Sequence, residues 1–268
     1  MARFETEKEL LDFFDERFPL TTAPVVQEIE YETLGTDYGA SSWSPPAQVD
    51  IMIDYLGIEP SSRYLDVGAG TGWPGLYVGA KTGCAVTLLD HPTSGLMLAK
   101  LRAERDGVTA VATSGDAARM PLRSGLFDAV SHSDVMCCLS HKAEALAECR
   151  RVSSDEGAIA FTAIEMSPDL SAAAQSQASD AGPEFVGSDF PYLDLLSAAG
   201  WRQAEAVDLT EEMDALARAI AEARTKRRGR LVDLLGEEDV EQNSERSRKM
   251  IEAISEGLIR RHMYFARA

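Results

Sequence analysis

The run Leu65-Asp66-Val67-Gly68-Ala69-Gly70-Thr71-Gly72-Trp73 constrains this chain more than any other. It reads as a buried strand that turns sharply through three glycines at alternate positions. Glycine takes φ > 0 without a Cβ penalty, so such a turn can bend tightly and lie close to a ligand. In an open α/β sheet, ligands bind beyond the carboxyl ends of the strands, where this turn belongs. A second run, Ala85-Val86-Thr87-Leu88-Leu89-Asp90, reads as a strand ending in a carboxylate eighteen residues after Gly72. A carboxylate there can accept hydrogen bonds from both hydroxyls of a ribose. The competing G-x-G-x-x-G fingerprint of dinucleotide sites needs a glycine at position 73. Trp73 stands there instead, and an indole cannot allow the close helix–sheet approach that the third glycine serves.

Strand and helix patterns alternate after the turn. Strands are predicted over 64–67, 85–89, 109–113, 127–133, 157–165, 202–207 and 259–268. Helices are predicted over 73–81, from about Thr93 to a stop at Gly107, and over 140–152 and 192–199. Such alternation argues for a parallel, doubly wound α/β sheet with its loops gathered along one edge. Ahead of it, Thr6-Glu7-Lys8-Glu9 forms a capping box for an amphipathic helix over 6–18. Residues 19–45 read as irregular and 46–57 as a helix. Residues 167–190, rich in Ser, Ala, Asp and Gly, read as a mobile loop near the site. A helix capped by Thr210 and two more at about 225–235 and 244–256 precede the last strand. The organisation expected is an N-terminal helical flap (1–58), a ligand-binding domain (59–208), a helical lid (209–258) and a final strand (259–268).

Composition narrows the partners. With 26 basic against 44 acidic residues, the net charge of −18 repels phosphate backbones and anionic membranes. The basic run Lys226, Arg227, Arg228, Arg230 reads as a solvated helix face amid acid. None of the four cysteines forms a C-x-x-C pair, which fits buried thiols in a reducing cytoplasm. The charged opening residues predict no signal peptide, and no apolar run approaches membrane-span length.

The glycine turn resembles motif I of the class I S-adenosylmethionine-dependent methyltransferases: a hydrophobic residue, an acid, then Gly-x-Gly-x-Gly. The resemblance extends over roughly 60–208. Thr113-Ser114-Gly115-Asp116-Ala117 is similar to the family's adenine-binding turn, Phe127–Ser133 to its fourth strand, and Ala145–Val152 to the helix that follows. Ser154-Asp155-Glu156-Gly157 replaces the family's frequent Lys-Pro-Gly-Gly in what reads as a surface turn. The overall plan resembles the ubiquinone/menaquinone-methylase-like small-molecule group. That implies a mostly parallel, seven-stranded Rossmann-like sheet, with S-adenosyl-L-methionine as cofactor and S-adenosyl-L-homocysteine as product.

Residue by residue, the resemblance implies that Gly68, Ala69, Gly70, Thr71 and Gly72 contact the methionine portion and ribose. Asp66 is expected beside the cationic methionine group, or as an acceptor for loop amides. Asp90 would hold the ribose hydroxyls and His91 would face the adenine. Asp116 would accept from the adenine amino group, and Ala117 would offer its amide. Tyr38 and Trp43 would cover the methionine end. Ser131-His132-Ser133-Asp134 ends the fourth strand, which faces the methyl group in this fold. Ser133 is therefore expected at the cofactor and His132 as general base, with His141 as its alternative. The Asp-Asn pair of metal-dependent relatives is missing, since Asn243 is the chain's one asparagine, so no metal is expected. The function expected is methyl transfer to a small-molecule acceptor. A nucleic-acid methyltransferase of this fold and a non-catalytic nucleotide-binding regulator are the alternatives.

Overall fold

The structure is a computed structural model that describes residues 6–38, 42–184, 186–188 and 190–268. The charged opening, Met1–Glu5, and positions 39–41, 185 and 189 within the two expected loops lie outside the described residues. Seven strands form one sheet: β1 Arg63–Val67, β2 Ala85–Asp90, β3 Ala110–Ser114, β4 Phe127–Ser133, β5 Ser153–Met166, β6 Arg202–Asp208 and β7 Ile259–Arg267. Their order is β3-β2-β1-β4-β5-β7-β6. β1 to β5 pair in parallel, while β7 slots antiparallel between β5 and β6. The predicted mostly parallel, Rossmann-like sheet is therefore present.

Both faces of the sheet are covered, which explains near-continuous apolar runs such as Tyr64-Leu65 and Ala158–Phe161. In β1, Tyr64 packs on one face, and Leu65 and Val67 on the other. The helices are α1 Glu7–Arg17, α2 Pro24–Leu34, α3 Pro46–Leu56, α4 Gly75–Thr82, α5 Thr93–Asp106, α6 Lys142–Val152, α7 Ala172–Ala181, α8 Tyr192–Ala198, α9 Thr210–Lys226, α10 Arg228–Leu235 and α11 Glu237–Ser255. Close approach of α4 to the sheet is provided by Gly75 and Gly79. A Cβ on Gly75 would stand 2.5 Å from Leu88 Cδ2, and one on Gly79 would stand 2.6 Å from Val86 Cγ2. The tight contact that a third glycine supplies in dinucleotide sites thus moves beyond Trp73.

Several expectations are corrected. Residues 19–45 are not wholly irregular: a 3-10 turn spans Phe18–Thr22, and α2 starts with proline in its first turn and ends at left-handed Gly35. Residues 167–190 contain α7, capped by Ser171 accepting from the Ala174 amide. Ser154–Gly157 is no turn, because β5 already runs from Ser153 through a register irregularity opposite Phe127. Thr210 does not cap its helix. Asp208 Oδ1 accepts the Thr210 N–H at 2.8 Å, and the Thr210 hydroxyl accepts from Arg261 N. The last helix starts at Glu237 rather than near 244.

The N-terminal helices meet the insertion between β6 and β7. Val25 and Ile29 of α2 pack on Ala223, Leu231 and Val240. Around them, Glu28 and Glu32 pair with Arg227, while Arg230 pairs with Glu28 and Lys226 with Glu32. The basic run is therefore a solvated face, as expected, that also ties α9 and α10 to α2. Among the described residues, no helix is long and apolar enough to cross a membrane.

The glycine contacts are testable. Gly75→Ala should destabilise the fold by about 1–3 kcal/mol in urea titrations, the usual range for overpacking. Gly229→Ala, in α10 with nothing within 4 Å of the added Cβ, should be neutral or stabilising.

Candidate functional site

Three loops converge beyond the carboxyl ends of β1, β2 and β3. Gly68, Gly70 and Gly72 take φ of 69°, 51° and 108°, a region closed to most side chains. The amides of Gly68 and Ala69 both donate to Leu89 O, at 2.7 and 3.1 Å. The Gly70 N–H donates to Asp90 Oδ2 at 2.6 Å, and the His91 N–H to Asp90 Oδ1 at 2.7 Å. The Gly115 N–H reaches Asp90 O at 2.9 Å and brings the β3 loop alongside. Asp90 is thus the joint of the three loops. Burial pushes its carboxyl up to about 6, against the two amides that favour its charge.

The remaining expected residues fall into two groups. Asp116 is exposed at this edge, its Oδ1 accepting the Ala118 N–H at 2.8 Å, and Ala117 is half-buried beside it. The exposed His91 projects from the end of β2, and its carbonyl accepts from Ser114 Oγ. Thr71 is buried, with its hydroxyl bonded to Tyr38 O. Tyr38 therefore meets the turn through its backbone. Its ring leans on Trp73 and its hydroxyl donates to Asp106 Oδ2 at 2.6 Å. Asp66 is fully buried, accepts the Gly75 N–H at 2.9 Å, and is pushed up to about 8 by burial. Its geometry is that of an amide acceptor at the start of α4, the second of its two expected roles.

The end of β4 corrects the expectation of a histidine base. His132 is fully buried and stacks on Phe161, with ring centroids 4.2 Å apart. Among the described residues neither ring nitrogen has a hydrogen-bond partner, and burial pushes its pKa down to about 3. Alternation turns it to the face opposite Ser131 and Ser133, so it packs in the core rather than serving the site. The alternative, His141, is exposed at the start of α6. The Ser133 hydroxyl is itself taken up by Ser42 at 2.6 Å, Ser44 at 2.7 Å and Thr162 at 3.2 Å.

Beside Ser133 lies a network that the sequence reading missed. Asp134, at φ +56°, accepts from Arg261 Nε at 2.8 Å and Nη2 at 3.0 Å. It also accepts the Trp43 N–H at 3.0 Å and the Ser42 hydroxyl at 3.1 Å. Burial alone would raise this carboxyl, but the guanidinium and these donors hold it below the usual carboxylate range. Arg261, fully buried in β7, also donates to Gln48 Oε1 and Ser44 Oγ. The available signal was parity: Arg261 shares the buried face of β7 with Ile259, Met263 and Phe265.

A cavity of about 480 Å³ opens between the N-terminal helices and the insertion. Phe18 is one of its walls, and on its other side the Phe18 ring lies against Gly70. Ser42 and Trp43 bound it near the end of β4.

The family model of the methyltransferase domain matches residues 65–161, from β1 to β5. Over 108 residues the chain is 38% identical to malonyl-[acyl-carrier protein] O-methyltransferase of Geobacter sulfurreducens, covering 39% of each protein. Over 217 residues it is 25% identical to glycine/sarcosine/dimethylglycine N-methyltransferase of Actinopolyspora halophila, covering 78% of this chain and 37% of that one. The chain thus matches well under half the length of these curated relatives. In fold it is similar to phosphoethanolamine N-methyltransferase 2 of Haemonchus contortus, solved with S-adenosyl-L-methionine. The TM-score is 0.80 at 14% identity, over 99% of this chain and 60% of that one. The matched segment carries the glycine turn and Asp90, while the residues that line the cavity lie outside it.

Breaking the Arg261 network tests its weight in the fold. Asp134→Ala should cost about 3–5 kcal/mol in denaturant titrations, because it strands a buried guanidinium. Adding Arg261→Met should recover part of that loss.

Proposed function

We propose that this chain transfers a methyl group from S-adenosyl-L-methionine to a small-molecule acceptor held under the N-terminal helices and the β6–β7 insertion. One observation carries the reading: the Gly70 amide bonded to Asp90, which locks a left-handed glycine turn onto a carboxylate at the neighbouring strand end. The cofactor fits these residues. Each Asp90 oxygen accepts one backbone N–H and keeps a lone pair free for a ribose hydroxyl. Gly70 carries no Cβ, so its backbone can be approached closely. Asp116 and the amide of Ala117 stand at the adenine edge. Bound there, the cofactor supplies an electrophilic methyl group on a sulfonium, with a neutral thioether as leaving group.

What the chain's own residues contribute is alignment and exclusion of water. The Gly68–Gly72 backbone and Asp90 orient the cofactor. Ser42, Trp43 and Ser133 wall the end of β4. No imidazole stands there to take a proton, since His132 lies in the core. In this reading the flap and the insertion close over the site as lids. The four free cysteines and the acidic surface fit a cytoplasmic protein.

S-adenosyl-L-homocysteine should bind with micromolar affinity, about −8 kcal/mol by calorimetry, with no comparable binding of NAD. The Asp90 carboxyl must be ionised to accept both ribose hydroxyls. Its free-protein value of about 6 means that affinity is full above that pH. Below it, affinity should fall by roughly tenfold per pH unit. Asp90→Asn should weaken binding by about 1.5–3 kcal/mol and abolish this pH step. A wild-type affinity that stays flat down to about pH 5 would remove Asp90 from the ribose.

His132→Phe, which keeps a ring against Phe161, should retain turnover within a few-fold. A loss of about 10²-fold or more with cofactor affinity intact would restore His132 as base.

A further inference from the structure

Acid dominates this chain, yet arginines from three separate helices gather around its large cavity. Arg17 comes from the last turn of α1, Arg224 from α9 and Arg246 from α11. Arg246 pairs with Glu184 at 2.9 Å. Among the described residues, Arg17 has one ion pair, with Asp239 at 3.8 Å, and its guanidinium lies over the Phe13 ring, 4.9 Å from its centroid. Arg224 forms no ion pair among the described residues; its one hydrogen bond runs to Ser247 Oγ at 3.5 Å. Arg228, also at the cavity, is held by Glu237 and Glu241. Among the described residues Glu30 is the one carboxylate on the cavity wall, and it is buried beside Arg102.

This arrangement puts positive charge on one side of the cavity. Arg17 is half-buried and Arg224 keeps contact with solvent, and the two guanidinium groups repel one another. An anion that enters the cavity offers both guanidinium groups a counter-charge and charge-assisted hydrogen bonds. The facing wall has the opposite character. Phe13, Phe14, Phe18, Leu20, Val26 and Ile29 present rings and aliphatic chains. At about 480 Å³ the cavity lies within the range of roughly 300–1,000 Å³ typical of small-molecule sites.

We infer that the cavity binds an amphipathic anion, a carboxylate or phosphate head on Arg224 and Arg17 with an apolar body against the Phe13–Phe14–Phe18 wall, and that this is the chemical class of the methyl acceptor. The second half of this statement rests on the methyl-transfer reading. The first half does not, because no residue of the glycine turn or Asp90 lines the cavity. Ser42 and Trp43 link the two spaces. They bound the cavity and also bond Ser133 and Asp134 at the strand end that faces the methyl group. An anion anchored at Arg224 would thus lie in a space that extends to the end of β4. The net charge of −18 would hinder such a ligand's approach at long range, so the three arginines act as a local reversal of the molecule's field.

Calorimetric titration of the whole chain with decanoate, decyl phosphate and decanol, each with and without saturating S-adenosyl-L-homocysteine, tests the inference. At least one of the two anions should bind, and roughly tenfold or more tightly than decanol. Comparing decanoate with decyl phosphate identifies the head group. Arg224→Gln should weaken the anion by a similar factor and leave decanol and S-adenosyl-L-homocysteine unaffected. Arg17→Gln takes its place if Arg224→Gln fails to fold. Decanol binding as well as both anions, no binding of either anion, or an anion affinity indifferent to the substitution would overturn the inference. Failure of S-adenosyl-L-homocysteine to bind would instead sink the methyl-transfer reading, while the titrations without it still decide the cavity.

Discussion

The buried ion pair between Arg261 and Asp134 holds the site's architecture together. Arg261 comes from the last strand, Asp134 from the residue after β4, and the pair gathers Ser42, Trp43, Ser44 and Gln48 around it. Two desolvated charges are stable only when every donor and acceptor is met. Here three guanidinium nitrogens and both carboxylate oxygens have partners. The pair therefore fixes three otherwise unrelated segments in one geometry: the antiparallel strand that completes the sheet, the end of β4, and the stretch entering α3. The wall at the end of β4 follows from that geometry, because Ser42 and Trp43 are held by the same carboxylate.

The order and direction of the central strands were legible because they follow from local chemistry. A left-handed turn requires glycine, a strand-end acid is visible as a break in an apolar run, and glycine after a helix marks its end. Gly57, Gly83 and Gly107 all stop helices in the left-handed conformation, as such positions favour. What stayed hidden depended on distant partners. Helix α2 carries the boundary signals of Pro24 and Gly35, but its apolar face is short and its Glu28 and Glu32 suggest solvent. It is stable against α9, α10 and α11, which lie almost two hundred residues later in the chain. Helix α7, mostly Ala, Ser and Gln, has no apolar stripe to betray it.

His132 and Arg261 show the limit of strand reading from opposite sides. Strand β4 is buried on both faces, so its sequence lacks the alternation that would say which way His132 points. Its imidazole turned out to lie with Phe161 and Tyr264 in the core. In β7 the parity is readable, and it places a guanidinium among apolar neighbours. That conflict between charge and burial signals a partner, yet the partner, Asp134, sits 127 residues away and could be found only in three dimensions.

Trp73 connects cofactor class to site enclosure. In a dinucleotide site, position 73 would be glycine and would serve helix packing. Here Gly75 and Gly79 provide the close contacts to the sheet, which frees position 73 for a large side chain. The indole is buried, donates from Nε1 to Ser44 O at 3.0 Å, and packs between Tyr38 and Tyr77. The bond pins the same segment that Asp134 and Arg261 hold from the other side. Arg102 adds a third tie by donating to both Tyr38 O and Thr71 O. The residue that breaks the dinucleotide pattern thus anchors the segment that walls the site. A substitution at Trp73 would act on the glycine turn and on the cavity wall together, because one side chain serves both.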